Sequence, residues 1–143
     1  MADPTSPREV MDQMHRALNG HDLAAFLDCF DPDYVSEQPA HPDRAFGGVE
    51  QVRKNWGRMF ETLPDFKAEL RAVSEDGGTV WSEWQWTATQ ADGSRFDMRG
   101  VTVMGVRDGR VIWARLYMEP TEFGGAGIDA AVREITGVRE SER

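Results

Sequence analysis

TVWSEWQWTATQADGSRFDMRGVTVMGVRDGRVIWARLYMEP, residues 79–120, decides the fold. It reads as three consecutive strands, Thr79–Gln90, Ser94–Arg107 and Arg110–Glu119. They are joined at Ala91-Asp-Gly93 and Asp108-Gly109, and Asp-Gly between alternating runs is a strong hairpin signal. Alternation sorts the side chains onto two faces. One face takes Val80, Ser82, Trp84 and Trp86, then Phe96, Met98, Gly100, Thr102 and Met104, then Ile112, Ala114, Leu116 and Met118. It is apolar with two small hydroxyls. The other takes Trp81, Glu83 and Gln85, then Arg95, Asp97, Arg99, Val101 and Val103, then Trp113, Arg115, Tyr117 and Glu119. It mixes charges with aromatics. One face suits a small molecule, the other a partner.

Working outward, the N-terminal side is helical. Ser6, Pro7 and Glu9 form a capping-box start for a helix from about Pro7 to Asn19, with Val10, Met11, Met14 and Leu18 as its apolar stripe and Gly20 as its end. Asp22 caps a second, short helix carrying Leu23, Phe26, Leu27 and Phe30 at helical spacing. Asp31-Pro32-Asp33 reads as a stop and turn, Tyr34–Gln38 as a short extended segment, and Pro39–Pro42 as a loop. A third helix is expected over Val49–Thr62, then a strand over Phe66–Glu75 and a turn at Glu75–Gly78. Ile128–Thr136 reads as a terminal helix behind Gly124–Gly127. Residues 1–6 read as a loose leader without signal-peptide character, and residues 137–143 as a frayed tail.

The fold class is therefore α+β: a curved antiparallel sheet with three N-terminal helices across one face, in one domain spanning residues 1–143. Three helices do not seal a long curved sheet, and the gap between them is the expected apolar pocket.

Composition narrows the partners. The net charge is −9, from 25 acidic and 16 basic side chains, which argues against nucleic acid and anionic membrane. No apolar run approaches the roughly 20 residues needed to span a bilayer. Cys29 is the lone cysteine, so no intrachain disulfide forms and a cytoplasmic setting fits. His15, His21 and His41 lack the spacing of a metal site, and no cofactor is expected.

Several stretches, in this order and spacing, resemble the nuclear-transport-factor-2-like superfamily, in particular the SnoaL-like polyketide cyclase and ketosteroid-isomerase-like group. They are Asn19-Gly-His-Asp22, Phe30-Asp-Pro-Asp-Tyr34, Gln38-Pro39, Phe46-Gly-Gly-Val49, Arg107-Asp-Gly-Arg-Val111 and Leu116-Tyr117, within about residues 8–120. The resemblance implies a cone of curved sheet with helices across its mouth, often dimeric through the open side of the sheet. It implies a pocket but no particular reaction, since the superfamily holds isomerases, cyclases, hydrolases, dehydratases and non-catalytic binders. The ketosteroid isomerases' general-base aspartate falls on Gln38, their oxyanion tyrosine near Met14 and their protonated acid near Thr102. SnoaL-like cyclases and limonene-epoxide-hydrolase-like enzymes carry an acid after an arginine, where this chain has Leu116 after Arg115. All of these acid/base roles are vacant.

The candidate catalytic residues are Gln38, which alternation points inward, His41 in the Pro-fixed loop, and Glu37, whose alternative is a solvated carboxylate. Substrate contact is expected from Met14, Ser82, Trp84, Trp86, Met98, Thr102, Leu116 and Met118; plain core packing competes with this for the two tryptophans. His15 reads as a boundary histidine and Cys29 as a buried thiol. Trp81, Arg99, Trp113, Arg115 and Tyr117 mark the expected homodimer face. Two function classes stay open. One is cofactor-independent acid/base chemistry (isomerase, cyclase or hydrolase) on a small apolar polyketide-, terpenoid- or steroid-like substrate. The other is a non-catalytic binding or accessory protein, or a dimerisation module.

Overall fold

The computed structural model describes residues 5–138. Residues 1–4 of the expected leader and 139–143 of the expected tail lie outside them. The chain runs α1 (Pro7–Asn19), α2 (Leu23–Leu27), β1 (Phe30–Glu37), a 3₁₀ turn (Pro42–Arg44), β2 (Phe46–Gly47), α3 (Val49–Thr62), β3 (Lys67–Asp76), β4 (Thr79–Thr89), β5 (Arg95–Arg107), β6 (Arg110–Pro120) and α4 (Ile128–Thr136). The strands form one curved, unclosed sheet in the order β2-β1-β6-β5-β4-β3. β3 to β6 are an antiparallel meander, and β1 joins its β6 edge in parallel.

The local signals explain the helices. The Ser6 hydroxyl accepts the Glu9 backbone N–H at 3.2 Å, Pro7 occupies the first helical position, and Val10, Met11, Met14, Ala17 and Leu18 are buried along one stripe. Asp22 caps α2 by accepting the Ala25 N–H at 3.0 Å. α2 is shorter than its apolar spacing predicts. Phe30 belongs to β1, and the Cys29 carbonyl already accepts the Val111 N–H at 2.8 Å, so the sheet claims these residues before another turn forms. Asp31-Pro32-Asp33 likewise does not stop the chain. It lies inside β1 as an irregularity between Phe30 and Val35, with the Asp33 N–H folded back onto the Asp31 carboxylate at 2.9 Å.

The hairpins follow their turn residues. Asp108 (φ 53°) and Gly109 (φ 76°) both take the left-handed conformation between paired Arg107 and Arg110, as a two-residue Asp-Gly turn requires. A bulge next to that turn pairs Val106 with Val111 and Gly105 with Trp113, so Ile112 is skipped. Val111, not Ile112, is the fully buried residue there. A second bulge between Leu70 and Ala72 puts Val73 on the inward face of β3. Bulges bend and twist a strand, which suits a sheet that wraps around a core.

The core lies between the concave face and α1–α3. Val10, Leu18, Val80, Trp84, Ala114 and Val111 are essentially fully buried in it. Polar latches tie α1 to β3: the Asn19 amide bonds both the N–H and the carbonyl of Ala68, at 2.7 and 2.9 Å. On the outer face Val103 is buried between its ladder partners Trp81 and Arg115, while Arg115 lies 4.5 Å over the Trp113 ring. Gly100 faces Met118 across the ladder; a β-carbon there would sit 2.0 Å from the Tyr117 carbonyl oxygen, a backbone atom that cannot swing away. Gly100→Ala is therefore expected to cost about 3 kcal/mol and lower Tm by roughly 10 °C, read by thermal unfolding followed by circular dichroism. A variant with unchanged Tm would show that β5 and β6 do not approach this closely.

Candidate functional site: an uncharged cavity under the helices

A cavity of about 210 Å³ opens between the concave face and the helices. Each wall has a local origin. α1 contributes Met14 and Leu18 from its buried stripe; α3 contributes Val52, Asn55, Trp56 and Met59, one or two turns apart on one side. The sheet supplies Trp84 and Trp86 from β4, Met98 and Thr102 from β5, Leu116 from β6, and Tyr34 and Ser36 from β1. These sheet residues lie two or four positions apart along each strand, which is the alternation that gives them one face. Asn55 is exposed and Gln38 half-buried, while Trp84, Thr102 and Ser36 are buried deep.

Of the expected contact residues, Met14, Trp84, Trp86, Met98, Thr102, Leu116 and Gln38 line this cavity. Ser82 and Met118 do not. Both are on the inward face, but Ser82 is packed between Val73 and Thr102 of the neighbouring strands and Met118 is spent in the core opposite Gly100. Glu37 is exposed, one step out of phase with Ser36. His41 is away from the lining: its Nε2 meets the Glu119 carboxylate at 2.5 Å, clipping the Gln38–Ala45 loop to the end of β6. Gln38 itself is held by Arg44, whose guanidinium donates to the amide oxygen at 3.0 Å. The three candidate catalytic residues are thus neighbours in sequence, and only Gln38 reaches the cavity.

Sequence reasoning did not nominate Tyr34, Ser36, Asn55 or Trp56. The first two were legible from the alternation that placed Gln38, and Trp56 lies on the buried stripe of α3. Asn55 carried no signal, because a polar residue on a helix flank reads as solvated.

The electrostatics of the cavity are those of a neutral box. No Asp, Glu, His, Lys, Arg or Cys lines it, and Tyr34 is the single titratable lining residue among those described. Burial pushes the Tyr34 phenol up to about 12; the neighbouring Ser36 hydroxyl offsets part of this without forming a full hydrogen bond. Tyr34 is therefore a neutral hydroxyl across the ordinary pH range. Trp84 donates its indole N–H to the Thr102 hydroxyl at 3.2 Å, whereas the Trp86 indole nitrogen and the Ser36 hydroxyl are buried with no partner. The charged groups sit elsewhere. Asp97, on the outer face, accepts from Thr121, Arg99 and Gln85 at 2.6, 3.1 and 3.2 Å, and these bonds, the Thr121 hydroxyl foremost, hold its carboxyl below the usual range. His15 and His21 each carry a proton on Nε2, since each bonds a backbone carbonyl, of Ala68 and Phe66 respectively. Both are structural latches. Among the described residues no group of three or more His, Cys, Asp or Glu is placed to hold a metal ion, and no helix is long and apolar enough to cross a membrane.

The SnoaL-like domain model matches residues 11–114. The chain belongs to the SnoaL-like domain family. No curated protein matches its sequence. Among solved structures, wild-type IdmH from Streptomyces antibioticus, a candidate polyketide cyclase, superposes with a TM-score of 0.69 at 20% identity, over 79% of this chain and 91% of that one. TsrD from Streptomyces laurentii gives 0.67 at 20% identity, over 84% and 91%. A Catenulispora acidiphila protein with a ketosteroid-isomerase-like fold, solved with trimethylamine, gives 0.66 at 17%, over 78% and 85%. At these identities the likeness is one of fold. Within the SnoaL-like fold this chain's cavity is built from neutral side chains throughout.

Cys29 borders the region without lining the cavity. Its Sγ lies 3.6 Å from the Ala25 carbonyl, and burial raises its pKa to about 11. At pH 8 its thiolate fraction is about 100-fold below that of an ordinary exposed thiol. An aromatic disulfide reagent is accordingly expected to modify the native protein at least that much more slowly than the urea-unfolded chain. Equal rates would place the thiol on the surface.

Proposed function

We propose that this SnoaL-like protein binds a small, neutral, largely apolar ring compound, and that it does so without general acid–base chemistry from a side chain in the cavity. One observation carries the reading: about 210 Å³ of space walled by aromatic, methionine and aliphatic side chains, with hydroxyl, amide and indole groups as its polar features. An apolar cavity of about 150 Å³ holds a benzene ring, so this one suits a one- or two-ring molecule rather than a four-ring steroid. A carboxylate ligand is disfavoured, because no cation faces it and an unpaired buried charge is costly.

A second reading, enzymatic, draws support from Tyr34. A phenol that stays protonated next to an apolar ligand is a donor able to polarise a carbonyl, as cofactor-independent isomerases and cyclases need. The two readings share one test. Affinity for 1-tetralone, a two-ring ketone, measured by titration calorimetry, is expected to vary less than about twofold between pH 5 and 9, since no lining group titrates in that window. Leu116→Trp, which fills the cavity from β6, is expected to abolish binding while leaving the fold intact by circular dichroism. A bell-shaped pH profile would bring a titrating group into the site and sink the neutral-cavity reading. Turnover of a screened ketone that falls in Tyr34→Phe would favour the enzyme over the binder.

The outer face supports a further proposal, pairing of two copies. Trp81 and Tyr117 are 48% and 42% exposed there, beside Arg99, Arg115 and Glu83, so the face offers exposed aromatics and both signs of charge to a second copy. Light scattering is expected to give twice the chain mass for the wild type and one chain mass for Trp81→Lys. A monomeric wild type would discard this pairing.

A further inference from the structure

The inward face carries two tryptophans on one strand in unlike states. Trp84 is 1% exposed, and its indole N–H is satisfied internally by Thr102. Trp86, two residues on, lines the same cavity, yet its Nε1 is buried and has no acceptor. Its ring is held by aromatic contacts, edge-on to Trp56 at 5.3 Å and tilted against Phe66 at 6.2 Å. These contacts set the orientation of the ring. An indole N–H is a donor only, so whatever completes it must accept. The Ser36 hydroxyl, the other orphan lining the cavity, differs: it rotates freely, both donates and accepts, and has the Tyr34 hydroxyl nearby.

We infer that the Trp86 indole N–H is the specificity-determining contact for the ligand, and that the ligand is a neutral ring compound bearing a carbonyl oxygen, of the cyclic ketone, quinone or lactone class. This rests on the proposed reading of the cavity as a small-molecule site and adds the functional group. The neutral lining excludes a carboxylate acceptor, and the donor-only indole excludes an ammonium ligand at this position. A carbonyl oxygen satisfies the N–H on entering; a hydrocarbon of the same shape leaves it buried and unpaired, a difference of about tenfold in affinity.

The experiment compares 1-tetralone with tetralin, its carbonyl-free counterpart, and the smaller pair 1-indanone and indane, by titration calorimetry on the full chain. The wild type is expected to prefer each ketone by about tenfold. Trp86→Phe removes the N–H together with the fused second ring; whatever it does to affinity for both compounds in common, it is expected to erase the preference for ketone over hydrocarbon, whereas Ser36→Ala preserves the preference. In ¹⁵N-labelled wild type, the indole proton absent from the Trp86→Phe spectrum is expected to move downfield with the ketone and not with the hydrocarbon. That readout stands even if the variant binds poorly. Equal affinity for ketone and hydrocarbon, or a preference that survives Trp86→Phe, overturns the inference and leaves the cavity reading intact. Binding of none of the four compounds overturns the cavity reading itself.

Discussion

Strands of 10 to 13 residues have to bury a continuous row of inward side chains against helices of 13, 5 and 14 residues. A strand rises about 3.4 Å per residue and a helix 1.5 Å, so β5 spans roughly 44 Å while α1 and α3 span only about 20 Å each. Curvature from the bulges in β1, β3 and the β5–β6 pair wraps the sheet around the helices and shortens the mismatch without removing it. The remaining space is the cavity. Its place is set by where the helices run out of side chains long enough to fill it, between the α1 stripe at Met14 and Leu18 and the α3 flank at Asn55 and Met59.

The same alternation that builds the cavity decides its chemistry. Glu83, Asp97, Arg99, Arg115 and Glu119 all fall on the outer phase of their strands, and on that face the last four find partners. Asp97 has three donors, Arg115 lies on Trp113, and Glu119 clips the His41 loop. The inner phase of β4, β5 and β6 receives uncharged side chains only. A carboxylate placed there would need comparable hydrogen bonds to stay ionised, and the lining offers it neutral donors only, with no cation. Gln38, Met14 and Leu116, which reach the cavity from three different elements, are uncharged as well. In the proposed reading, the donors available to a ligand carbonyl are those of Tyr34 and Trp86.

Much of this was legible in the sequence, and the misses have physical causes. The meander, the capped start of α1, the amphipathic α3 and the turn at Asp108-Gly109 follow from periodicity and local hydrogen bonding, which depend on a few adjacent residues. The facing of Ile112 did not, because alternation counts residues and a bulge inserts one without announcing itself in composition. The Asp31-Pro32-Asp33 run carries every local mark of a turn, yet pairing with β6 overrides it, a tertiary effect no window of the sequence contains. The candidate site was half legible for the same reason. Trp84, Trp86, Met98, Thr102 and Leu116 are named by strand phase, whereas Ser82 and Met118 share that phase and still miss the cavity, since distance along the strand from the helices, not facing alone, decides which inward residue is packed and which lines a void.

The pair of tryptophans on β4 shows how function separates from packing within one repeat. A buried indole N–H without a partner costs about 1–3 kcal/mol, a cost that an apolar side chain at this position would not carry. Trp84 avoids the cost through Thr102, so its indole is explained by the fold. Trp86 bears it in the fold as it stands, next to the cavity under the helices. A locally unfavourable choice beside a void is the pattern expected where part of the free energy is recovered from a ligand rather than from folding. The stability forgone at Trp86 and the selectivity available at the cavity are then one interaction seen without and with its acceptor.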